Sequence, residues 1–189
     1  MTTPNPTPIL LSTSLKGIIN LRTFMALLTM MAGLLTGSGQ ESGGAKFGPQ
    51  WRLLVGAWVA EAAPGGGSGA CTFRFELGGH VMVRTNHAEL PATSGRPSGP
   101  HDDLMVIYPG ASESQGNASY WDNEGHKIEY TATWSADGNT LTFLSKPGPG
   151  PQFRLTYKKL ETDSMSVSFE MGQGGVFKPY TSGKIKRLK

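Results

Sequence analysis

From residue 55 onward, apolar and polar side chains alternate one by one in short runs separated by turn residues. In the stretch 126–134, Ile128, Tyr130, Ala132 and Trp134 share one parity, while Lys127, Glu129, Thr131 and Thr133 share the other. A period of two places these sets on opposite faces of a β-strand, so the first set points inward. Met165, Val167, Phe169 and Met171 alternate in the same way with Ser164, Ser166, Ser168 and Glu170. The runs predict strands near 55–62, 69–77, 80–89, 102–108, 117–122, 126–134, 140–146, 152–159, 164–171 and 176–187.

The turns between them are mostly hairpin chemistry: Gly78-Gly79, Asn123-Glu124-Gly125, Asp137-Gly138-Asn139 and Gly172 to Gly175. About ten strands joined in this way make a meander. A sheet with one wet face and one apolar face must be covered or must close on itself. Because no run has a helical period that would supply a cover, the expected fold is all-β, a closed antiparallel up-and-down barrel of about ten strands. Pro49 to Leu54 is expected to form one helical turn capping its floor.

The 26 glycines and 13 prolines fit a chain with many tight turns. Ahead of the strands, Phe24 to Leu35 is an apolar run of secretory length, preceded by Lys16 and Arg22 with no acidic residue. Residues 1–39 therefore read as a hydrophobic leader helix, an export signal or a retained anchor. Residues 40–50 read as a flexible spacer and 51–189 as the barrel domain. The expected location is periplasmic or secreted, or anchored in the inner membrane if the leader is kept.

The formal charge of +3 falls to +1 without the leader, since removing Lys16 and Arg22 leaves 15 basic against 14 acidic residues. That balance argues against nucleic acid as a partner. The single cysteine, Cys71, excludes an intrachain disulfide and alternates with Phe73 and Phe75 as a small buried residue does.

Gly56-Ala57-Trp58 on the first strand, the succession of short strands and a basic residue on the last strand resemble the lipocalin and calycin barrels. Leu54 to Trp58, Leu77-Gly78-Gly79 and Tyr120 to His126 further resemble secreted bacterial lipocalin-like families of unassigned function. The resemblance covers about residues 50–187 and implies that Trp58 packs against an arginine from the last strand. Arg187 matches that role, so Gly56, Trp58 and Arg187 are the expected closure of the barrel. A more distant likeness is to nitrobindin-like barrels, which bind haem through a histidine near the C-terminus. This chain has no histidine after His126, and no cofactor is expected.

Candidate chemistry gathers at one rim. A meander sends its turns alternately to opposite ends, which brings His87, His101, Asp102, Asp103, Asp122 and His126 to the rim opposite Trp58. With Gly125 left-handed, Asp122 sits opposite His126 on the inward parity of Tyr120 and Tyr130. A Gly78-Gly79 turn pairs Phe75 with Met82 and Phe73 with Arg84, so Arg84 and Asn86 face inward and His87 outward. A charged group inside a small barrel needs a partner. Arg84 is therefore expected to meet a carboxylate such as Asp122, or to await an anionic ligand.

These residues point to a barrel that takes a partly apolar small molecule, hydrophobic or amphiphilic and allowed an anionic group, in its cavity. Its polar end would be oriented by Arg84, Asn86, Tyr120, Asp122, His126 and Tyr130. Two other readings stand beside it: an enzyme using Asp122 and His126 as an acid/base pair, with or without a metal, and a filled barrel serving as an envelope or interaction module. His87, His101, Asp103 and His126 are the candidates for an ion, but no His-x-His or His-Glu-x-x-His spacing supports one. Membrane contact is expected only through an uncleaved leader, and the chain is expected to be a monomer or dimer.

Overall fold

The computed structural model describes residues 45–61, 68–92 and 98–189. The leader, residues 40–44 of the spacer and the glycine-rich turn at 64–67 lie outside the described residues. Ten antiparallel strands follow one another: β1 (Gly56–Ala60), β2 (Ser68–Glu76), β3 (Val81–Leu90), β4 (Gly99–Pro109), β5 (Gln115–Asp122), β6 (Lys127–Trp134), β7 (Thr140–Ser145), β8 (Gln152–Glu161), β9 (Ser164–Gln173) and β10 (Val176–Arg187). Each pairs with its neighbours in sequence, and β1 pairs with β10, so the sheet closes into an up-and-down barrel. A closed ten-stranded antiparallel barrel is the expected fold and is consistent with a lipocalin- or calycin-like architecture.

The predicted registers hold where a tight turn sets them. Phe75 pairs with Met82 and Phe73 with Arg84. The connection itself is longer than two residues: the ladder stops at Glu76 and Val81, and Leu77 to Gly79 form a short 3-10 turn. Leu77, Gly78 and Gly79 all take positive φ, which the two glycines adopt without a Cβ clash. The fourth strand is longer than expected, beginning at Gly99 instead of near residue 102.

The floor is built by the 3-10 helix Pro49–Leu53. Trp51 Nε1 donates to the Glu113 carbonyl at 2.8 Å, and its ring meets that of Trp134 edge-on at 5.9 Å. Gly116 is needed beneath it, since a Cβ there would lie 2.9 Å from the Trp51 ring. At the closing seam Trp58 pairs with Arg187, and the guanidinium lies 4.2 Å from the Trp58 ring centroid. Trp58 Nε1 donates to the Leu54 carbonyl at 2.7 Å. Arg187 donates to the carbonyls of Leu53 and Val55 and to the Asp163 carboxylate. One side chain thus ties the last strand to the residues entering the first. Gly56, at φ +125°, lets this happen: a Cβ there would lie 2.7 Å from the arginine.

Above this floor the barrel is filled with side chains. Trp51, Leu54, Trp58, Met82, Met105, Ile107, Ala118, Leu141 and Phe143 have no accessible surface and border no space a water could enter. An aromatic chain crosses the interior, with Phe73 against Tyr157 at 5.6 Å, Tyr157 against Phe143 at 6.3 Å and Phe143 against Tyr130 at 6.2 Å. All three contacts are edge-to-face, the arrangement that aromatic quadrupoles prefer over a direct sandwich.

Candidate functional site

Toward the rim opposite the 3-10 helix, the inward residues change character. Asn86, His101, Tyr120, Ile128, Phe153, Val167 and Phe169 all keep some accessible surface although their side chains point into the barrel. Near the end of a closed barrel such surface faces that end, so the interior is fully packed below and less completely covered toward this rim.

The upper lumen has two unlike walls. One comes from β8 and β9: Phe153 and Phe169 stack with centroids 5.8 Å apart and planes 8° from parallel, with Val167 packed against the same core. Its lip is a groove of about 320 Å³ lined by Pro151, Met171, Gly172, Gln173, Val176 and Lys178. The opposite wall, from β3 to β6, is a connected set of polar groups.

Arg84 anchors the polar wall. Its Nη1 donates to Asp103 Oδ1 at 2.6 Å, with both side chains buried. Asn86 Nδ2 donates to the other oxygen of Asp103 at 2.9 Å. Of the two expectations for Arg84, a carboxylate such as Asp122 or an anionic ligand, the structure shows a carboxylate, but it is Asp103 and not Asp122. The reason is register, because Asn86 pairs with Asp103 across β3 and β4, while Asp122 lies one strand further on opposite Asp103. Burial pushes the Asp103 carboxyl above its ordinary range, against the pull of Arg84. Arg84 Nε has no hydrogen-bond partner.

His101 links this pair to the next. Its Nε2 lies 3.1 Å from the Tyr120 hydroxyl and 3.6 Å from Asp103 Oδ2, and its Nδ1 lies 3.2 Å from Glu124 Oε1. Tyr120 donates to Asp122 Oδ2 at 3.2 Å, so its oxygen is free to accept from the imidazole. Burial beside Asp103 and Asp122 pushes the Tyr120 phenol well up, keeping it a donor. Tyr130 sits below, buried, with its ring edge-on to Tyr120 at 6.3 Å.

Asp122 and His126 close the β5–β6 turn as expected. Asp122 Oδ2 meets His126 Nδ1 at 2.8 Å, while Oδ1 accepts from the backbone N–H groups of His126 at 2.8 Å and Glu124 at 3.0 Å. Burial pushes the Asp122 carboxyl up, but these hydrogen bonds outweigh it and hold the pKa below the ordinary range. Gly125 at φ +89° supplies the left-handed residue. The His126 side chain is 61% exposed, so the ring sits on the lip outside the lumen. Asp122 acts first on the turn itself, where its oxygens replace a backbone acceptor.

Three of the four histidines share a rim but not a site. His87 faces outward, with Nδ1 2.7 Å from Asp102 Oδ1. His101 faces inward, and His126 is on the lip. Among the described residues no group of three His, Cys, Asp or Glu side chains is placed to hold a metal ion. Asp103 and His101 emerge as the centre of the polar wall, having entered the sequence reading as rim residues and ion candidates but not among the residues that orient a ligand. Parity alone marks them as inward, but their partners depend on the register across the long β3–β4 connection.

No protein-family model matches the chain, and no curated protein matches it.

Proposed function

We propose that this protein binds a small amphiphile in the upper lumen, its apolar part along the Phe153–Phe169 wall and its polar part against Asn86, His101 and Tyr120. The observation that carries this reading is the pairing of two chemically opposite walls around inward residues that keep accessible surface, above a floor with none. Such sites combine a mostly apolar lining with a few fixed polar groups. Asp103 already neutralises Arg84, so no uncompensated cation waits for an anion on the polar wall. The proposed head group is therefore uncharged, a hydroxyl or carbonyl function, rather than a carboxylate. Export through the Phe24–Leu35 run belongs to the same proposal, and among the described residues no helix is long and apolar enough to cross a membrane.

The test is thermal unfolding and native mass spectrometry with single-chain amphiphiles bearing glyceryl, carboxylate or ammonium heads. A neutral-headed ligand at a hundredfold excess over its Kd should stabilise the fold by about 2.7 kcal/mol, roughly 5–10 °C in Tm for a domain of this size. Phe169→Ala and Tyr120→Phe should each weaken that binding while the far-UV spectrum stays that of a β-barrel. If no amphiphile of any head class shifts Tm, the binding reading fails and the filled-barrel module stands instead. A carboxylate ligand that outcompetes the neutral one would overturn the assignment of the head group.

A further inference from the structure

The outer face of β3 to β5 carries a cluster of apolar side chains that the outer faces of β6 and β9 lack. Leu104, Tyr108 and Trp121 are each more than a third exposed, and Val83 and Val106 are partly exposed between them. The outer face of β9 carries Ser164, Ser166 and Ser168, and that of β6 carries Lys127, Glu129, Thr131 and Thr133. A single exposed apolar residue needs no explanation, but a contiguous stripe across three strands does. The register makes it contiguous: Leu104 pairs with Trp121, and Val106 with Val83 on one side and Ser119 on the other.

The charges around the stripe show what it fits. Continuing the Val106 row outward, Val83 pairs with Arg74 on β2, and Ser119 pairs with Glu129 on β6. The row therefore reads Arg74, Val83, Val106, Ser119, Glu129, with opposite charges the same number of strands from its centre. Both ends remain accessible. Arg74 is 55% exposed beside Glu76, and Glu129 is 34% exposed beside Lys127 and Ser119.

We infer that this face binds a second copy of the chain about a two-fold axis running along β4. Such an axis lays Val106 of one copy near Val106 of the other and sets Arg74 against Glu129 at both edges. A two-fold contact must be self-complementary, and a row with an apolar centre and opposite charges at its ends is so by construction. Barrel walls are convex, so the surfaces diverge away from β4, and the long Arg74 and Glu129 side chains are the ones able to reach across.

Five strands at about 4.8 Å spacing span roughly 19 Å, and Leu104 to Tyr108 spans about 14 Å at about 3.4 Å per residue. That footprint is about 270 Å² on each copy, well below the size of stable specific interfaces, so the contact is a weak one and the dimer should form only toward the upper end of the concentration range.

Analytical ultracentrifugation of the barrel-containing chain from the micromolar to the millimolar range tests this. Wild type should pass from monomer to dimer, and Val106→Glu should weaken association at least tenfold with Tm unchanged. Arg74→Glu and Glu129→Arg should each weaken self-association at least tenfold by setting like charges together. An equimolar mixture of these two variants should associate at least as well as wild type, because every edge contact is then a pair of opposites. A monomer throughout that range overturns the inference. Association that Val106→Glu does not weaken, or that the mixture fails to restore, overturns the assigned face or axis.

Discussion

The guanidinium of Arg187 lies over the ring of Trp58, 4.2 Å from its centroid, at the seam where the last strand pairs with the first. The same group donates to the Leu53, Val55 and Asp163 oxygens, so the cation is held by carbonyls that the 3-10 helix and its exit leave without strand partners. Arg187→Ala should cost about 2–4 kcal/mol in chemical denaturation, through lost hydrogen bonds to a charged donor and lost cation–π contact. Arg187→Lys should recover less than half of that, since an ammonium cannot present the planar fork that reaches several acceptors at once.

Removing one partner of the buried Arg84–Asp103 pair leaves the other charged and unpaired. Asp103→Leu should therefore destabilise the barrel by about 3–5 kcal/mol, read from urea unfolding. The double variant Arg84→Met with Asp103→Leu should regain most of this, because it removes both desolvation penalties together. Equal loss in the single and double variants would show that the pair does not act as a unit.

The hydrogen bonds of the β5–β6 turn hold Asp122 below its ordinary pKa. A carboxyl depressed in the folded state contributes stability above its unfolded pKa and loses it as pH falls through the folded value. The stability gap between wild type and Asp122→Asn should thus be widest at neutral pH, about 1.5–3 kcal/mol, and should close as pH falls below about 4. Asp103, pushed up by burial, acts in the opposite sense. The difference between the two proteins, and not the wild-type acid profile, is the quantity to measure.

His87 is raised above the ordinary histidine value, chiefly by its hydrogen bond to Asp102. Its NMR titration should lie above about 6.5, and Asp102→Asn should return it toward that value. As the ring is exposed, the fold's melting temperature should barely change.

Much of this architecture is local in origin. Alternation over Ile128, Tyr130, Ala132 and Trp134 depends only on the pleat, which repeats every two residues, so the inward face can be read without knowing what lies opposite. The pairing of Phe73 with Arg84 and the meeting of Asp122 with His126 follow from turns a few residues long, where glycine chemistry settles the register. The inward direction of Arg84 and the outward direction of His87 come with them.

The amino-acid sequence by itself thus determined the strands, their faces, the short hairpins and a closed barrel. Tertiary structure alone decided that Arg84 meets Asp103, because the register of β3 on β4 is set across a long connection that no turn rule governs. It also decided that His101 bridges Tyr120 and Glu124, and that the lumen is solid below and lined by two unlike walls above. Neutralising a buried charge and filling a volume are sums over side chains brought together from different strands, and only the folded arrangement fixes which side chains enter those sums.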